Sequence, residues 1–137
     1  MRSIFGKKFS RKEKIFEMND ELRTRIENVC DGLYYISETD AQITVVEEPP
    51  ELSGDRVQAD EEVEFDRFFA PLITIYEGAQ ELQIARAKKF LELKHLLEES
   101  FRDLTVYKFG GVRKKIFVVG RDSNDRWAGI TTEAVET

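Results

Sequence analysis

Apolar positions change their period along the chain, and the change predicts the order of the elements. Leu22, Ile26, Val29, Cys30 and Leu33 recur at spacings that place them on one face of a helix. Asn19 or Asp20 is suited to cap that helix, and acids in its first turn favour the macrodipole. Asp31-Gly32 is a natural place for it to end. "LYYISETD" then passes into "ITVVEEPP", where Ile43 to Val46 reads as a first strand, stopped by Pro49-Pro50. "PELSGDRVQAD" is a polar loop with room for a short strand around Val57. The latter half of "EEVEFDRFFAPL" reads as a short helix, broken near Pro71. "ITIYEG" connects it to the longest helix, from about Ala79 to Glu99, with a stripe of Leu82, Ala85, Phe90, Leu93, Leu96 and Leu97. "SFRDL" either extends that helix or starts a separate turn.

The final third switches to strand patterning. Strands are expected near Val106–Phe109, Lys115–Val119 and Trp127–Thr132. Gly110-Gly111 suits a tight hairpin turn and "RDSNDR" a longer one. The result is an antiparallel three-stranded meander. With helices first and a sheet last, the fold class is α+β, helices packed on a sheet.

Charge divides the chain more sharply than hydropathy does. Residues 1–14 carry a net +5 of an overall −6, leaving −11 for the rest. This sets a basic arm, residues 1–18, apart from a single domain over 19–137, a length that suits one core. Ile4, Phe5 and Phe9 among the lysines make the arm either an amphipathic segment at a membrane surface or a frayed terminus. Between Glu38 and Asp66, eleven acids face Arg56 as the single base. Such a body repels nucleic acid and attracts a basic partner, or simply keeps the protein soluble. The mostly charged surface favours a monomer. One cysteine rules out an internal disulfide framework and suits a reducing compartment. No apolar run approaches the ~20 residues that span a bilayer, and no secretory signal is present, so the expected location is cytoplasmic.

Catalytic chemistry finds little support. His95, the sole histidine, sits among leucines without a nucleophile motif beside it. Cys30 falls on an apolar helix face, where a thiol acts as a small hydrophobe. No cysteine–histidine cluster suggests zinc. "KFGGVRKK" lacks the spacing of a phosphate loop, and "DSNDRW" lacks the glycine and closing glutamate of a calcium loop. Carboxylates are abundant, but no spacing singles out a catalytic pair. The expectation is a non-enzymatic interaction protein without a cofactor.

Three blocks carry a resemblance to a known family. They are "DGLYYISETD", the pair "VEFDRFF" and "AKKFLELKHLLEES", and "VYKFGGVRKKIFVVGRDSNDRWAGITTEAVET". Over roughly residues 20 to 137 the chain resembles the nuclease A inhibitor family, bacterial proteins that silence a sugar-non-specific, magnesium-dependent nuclease. The resemblance implies a three-layer α/β/α sandwich akin to the pathogenesis-related protein type. It also implies a one-to-one complex with such a nuclease, nucleic-acid mimicry by an acidic face, and no direct contact with nucleic acid. Thr137, with Glu136 before it, would direct oxygens to the partner's catalytic magnesium, a hard cation that accepts carboxylate where phosphate binds. Glu38, the acid of the Ser-Glu pair, would meet a basic group of the nuclease. A family member's adjacent Asp-Trp pair falls on Glu77 and Gly78. Glu77 keeps the charge, whereas Gly78 removes an aromatic anchor that neighbouring Tyr76 replaces only in part. That departure leaves open an alternative, an interaction module of the same fold with a non-nuclease partner at the membrane.

Overall fold

The computed structural model describes residues 18 to 136 apart from Asp55; the basic arm, save Met18, and Thr137 lie outside the described residues. Helix α1 spans Asp20–Cys30, where Asn19 Oδ1 accepts a hydrogen bond from the Leu22 amide at 2.9 Å and Asp20 and Glu21 occupy the first turn. Strands β1 (Tyr34–Ile36) and β2 (Asp40–Gln42) form a hairpin of their own. Strand β3 (Thr44–Glu47), a 3₁₀ turn at Pro50–Leu52, and strand β4 (Glu61–Glu64) follow. Helix α2 (Phe65–Ile73) and helix α3 (Glu81–Ser100) precede strands β5 (Arg102–Phe109), β6 (Arg113–Arg121) and β7 (Trp127–Val135). The main sheet is antiparallel with the order β3-β7-β6-β5-β4. The fold is therefore α+β, and its last three strands are the expected meander.

Period-two alternation in β6 divides the interior. Ile116 and Val118 join a core with Ile26 of α1, Phe69 of α2 and Phe90, Leu93 and Leu97 of α3. Phe117 and Val119 point the other way, onto Leu52 of the 3₁₀ turn, with Val57 and Trp127 at the edge. Fully burying one such side chain contributes about 1.5–3 kcal/mol. All three α-helices contribute buried residues to the first cluster. Among the described residues, the far face is covered by the 3₁₀ turn and its loop, held by Lys115 donating to Glu51 at 2.9 Å.

Several expectations change. Val57 packs as a loop residue against the cluster of Leu52, Phe117 and Val119 rather than in a strand. Residues 34–36, 40–42 and 61–64 are strands that short or acidic stretches did not reveal. Pro71 does not break α2, which runs on to Ile73; so late in a short helix, it removes a single exposed bond. The buried stripe of α3 starts at Ala87, while Leu82 is 78% exposed and Ala85 also faces solvent, because the first turns of α3 extend past the core. "SFRDL" extends the helix by Ser100 alone and forms no separate turn: Phe101 caps α3 and Arg102 opens β5 directly.

The two meander turns form as expected, by different devices. At Gly110, φ is +113°, and a Cβ would lie 2.3 Å from the Arg113 carbonyl oxygen, so only glycine closes the β5–β6 turn. In "RDSNDR" the buried Asp122 carboxylate accepts from the amides of Asn124 and Arg126 at 2.8 and 3.0 Å. These internal hydrogen bonds make a side-chain-closed turn.

Candidate interaction surface

Strand β3 pairs with β7 only as far as Thr131. Beyond it, the outer edge of β7 would present unpaired backbone groups. The β1–β2 hairpin takes over that edge. Thr132 Oγ1 donates to the Gln42 carbonyl at 2.9 Å, and the Val135 amide donates to Ser37 Oγ at 3.0 Å. Ser37 also organises the hairpin tip: its amide donates to the Thr39 carbonyl at 2.8 Å, and its hydroxyl accepts from the Thr39 amide at 3.3 Å. Glu38 is exposed at that tip. The serine of the Ser-Glu pair thus fixes Glu38 beside the end of β7.

Two further contacts hold Glu136. Its amide donates to the Val112 carbonyl at 2.8 Å, continuing the β6–β7 pairing past Val135. Its carboxylate accepts from Lys108 Nζ at 3.2 Å, and the lysine side chain is only 13% exposed. Tyr35 adjoins this pair. Burial pushes its phenol up, while Lys108 pulls it down and Glu136 pushes it up. The Glu136 side chain is therefore engaged within the chain. Thr137 lies outside the described residues.

Alternation along β1 builds the adjoining surface. Tyr35 turns inward and stacks on Phe68, with ring centroids 5.6 Å apart and planes within 8°. Tyr34 and Ile36 consequently face outward, at 40% and 46% exposure. They line a groove of about 380 Å³ with Ile75, Tyr76, Glu77 and Gly78 of the connector before α3. The connector turns through a bond from the Ala79 amide to the Tyr76 carbonyl, at 3.0 Å, with Gly78 at φ +84°. That backbone favours glycine, so Gly78 has a conformational reason independent of binding.

Of the residues expected from the sequence, Glu38 and Glu136 are brought together through Ser37, and Glu77 lines the same groove as Ile36, which lies two residues before Glu38. They form one strip: connector, groove, hairpin tip, end of β7. Sequence reasoning missed Ser37, Lys108 and the outward pair Tyr34 and Ile36. The Tyr-Tyr-Ile alternation was the available signal. Elsewhere, burial pushes the Cys30 thiol up to about 12, with Glu27 adding to the effect, so it is no nucleophile at neutral pH. Among the described residues, no group of three or more histidines, cysteines or acids is arranged to hold a metal ion. No described helix is long and apolar enough to cross a membrane.

A family model of nuclease A inhibitor-like proteins matches residues 20–137. No curated protein matches the chain.

Proposed function

The chain belongs to the nuclease A inhibitor-like family, and from that premise we propose that it is a stoichiometric, non-enzymatic inhibitor of a magnesium-dependent, sugar-non-specific nuclease. The observation that carries this reading is the anchoring of the end of β7 by Ser37, Val112 and Lys108 directly beside Glu38. An inhibitor that offers its last residues to an active site loses less entropy on docking when the preceding residues are already ordered. Thr137 would then give its oxygens to the nuclease's magnesium, in the place of a substrate phosphate. Glu38 and Glu77 would meet bases that otherwise hold the nucleic-acid backbone, which a nuclease must carry to bind a polyanion. Glu136 serves this complex as a positioning residue through Lys108. The complex is one-to-one, the acidic body mimics nucleic acid without binding it, and the protein acts in the cytoplasm as a monomer.

The test is a DNA-degradation assay, in which a magnesium-dependent non-specific nuclease from the same source is titrated with the intact chain and with a chain lacking Thr137. Activity is expected to fall linearly to zero at one equivalent of the intact chain, and to persist with the shortened one. Full activity at a many-fold excess of the intact chain would refute the reading. It would favour a module of the same fold with a non-nuclease partner.

A further inference from the structure

Alternation along β5 puts a lysine where the pattern calls for an apolar residue. Tyr107 and Phe109 pack on the side of the sheet that carries the 3₁₀ turn, while Val106 belongs to the main core. Lys108 shares the face of Val106, and its side chain is only 13% exposed. A charge so far out of water needs a counter-charge. Glu136 supplies it from the end of β7, with Oε2 at 3.2 Å from Lys108 Nζ and its own side chain 35% exposed. Tyr35 of the hairpin adjoins both groups. Three elements far apart in sequence, β1, β5 and the end of β7, therefore meet at one ion pair.

We infer that Lys108 is a positioning residue of the inhibitor, and that it holds Glu136 within the chain rather than leaving it to touch the nuclease. This rests on the inhibitor reading and removes Glu136 from the residues that meet the partner. Two observations carry it. Glu136 is engaged at both its ends, its amide by the Val112 carbonyl at 2.8 Å and its carboxylate by Lys108. The two halves of the pair are also unequally buried, so they are not interchangeable. Removing the Glu136 carboxylate strands an ammonium that is largely out of water, which destabilises the fold. An unbranched apolar side chain in place of Lys108 suits a site on the core face of β5 and lets Glu136 turn to solvent, at little cost to folding. Fold stability is thus tied to Glu136, whereas order at the end of β7 is tied to Lys108.

The test compares Lys108→Met, Lys108→Arg, Glu136→Lys and the exchanged pair, Lys108→Glu with Glu136→Lys. Each is titrated against a magnesium-dependent non-specific nuclease from the same source, with melting curves and hydrogen exchange at the Glu136 amide. Lys108→Met is expected to melt close to the intact chain, to exchange faster at Glu136, and to raise the inhibition constant about tenfold. Lys108→Arg, which keeps the charge, should restore both exchange and inhibition. Glu136→Lys sets two like charges together and should inhibit worst, and the exchanged pair should recover most of that loss. A Glu136 that touched the nuclease would give the opposite order: Lys108→Met would inhibit like the intact chain, and the exchanged pair no better than Glu136→Lys. Either result would overturn the proposal and leave the inhibitor reading standing. If melting shows the exchanged chain unfolded, Lys108→Met against Lys108→Arg decides the matter alone. Failure of the intact chain to inhibit would overturn the inhibitor reading, and the role of the pair with it.

Discussion

Ser37→Ala is the sharpest perturbation of the candidate surface, because a single oxygen joins two elements 98 residues apart in sequence. Removing Oγ takes the acceptor from the Val135 amide, at 3.0 Å, and loosens the tip by losing its bonds to Thr39 at 3.2 and 3.3 Å. The site is partly buried, so water replaces the lost partner only incompletely. A net hydrogen bond of this kind is worth about 0.5–1.5 kcal/mol. If the end of β7 must be ordered for the nuclease contact, that loss reappears in binding as a roughly twofold to tenfold weaker inhibitor. Two assays separate ordering from global stability. Hydrogen exchange at the Val135 amide should quicken by a similar factor while exchange in the centre of β6 stays nearly unchanged, because local opening does not require global unfolding. The inhibition constant should rise in parallel, and Ser37→Thr, which keeps a hydroxyl, should restore both. Faster exchange at Val135 with an unchanged inhibition constant would refute the claim that the ordered terminus matters. Unchanged exchange would refute the anchoring itself.

Local geometry gives two further expected outcomes. Gly78→Trp, which restores the aromatic of the resembled pair, should lower the urea midpoint by an amount equivalent to about 1–2 kcal/mol, because a side chain is forced into a backbone at φ +84°; an unchanged midpoint would show the turn to be adaptable. Lys115 donates to Glu51 and holds its carboxyl below the ordinary 4.5. A depressed folded value means the contribution is complete above about pH 4.5 and lost as pH falls through that lower value. Glu51→Gln should therefore flatten the acid limb of the stability curve slightly, and an identical limb would remove Glu51 from the account.

Legibility in the sequence tracks how local each feature is. The α1 cap, the meander and its glycine turn rest on residues within a few positions of one another, and each formed where the pattern placed it. The hairpin of β1 and β2 was invisible because three-residue strands carry too little alternation, and their stability comes from the edge of β7, far along the chain. Leu82 fails as a core residue for the same reason: periodicity says which face of α3 is apolar, not how far along it the sheet extends. In the candidate surface, the acids Glu38, Glu77 and Glu136 are named only through the resemblance. Their proximity was not legible, since it depends on Ser37 reaching Val135 and on Lys108 reaching Glu136.

The topology explains why these contacts gather at one end of the molecule. Strand β7 lies between β3 and β6, yet β3 covers its edge only to Thr131, so the last residues of β7 overhang on that side. An uncovered edge invites pairing with other chains. Covering it with a third full strand would bury the terminal residues in the sheet and remove them from any partner. The short hairpin is the intermediate solution: it satisfies two backbone groups through the hydroxyls of Ser37 and Thr132 rather than through a complete ladder. The overhang is thereby ordered without being enclosed. The hairpin's other consequence is the outward Tyr34 and Ile36, which line a groove with Ile75 and Tyr76 and stay exposed there. One structural compromise thus yields both an ordered end of β7 and an open apolar groove lined by the hairpin beside it.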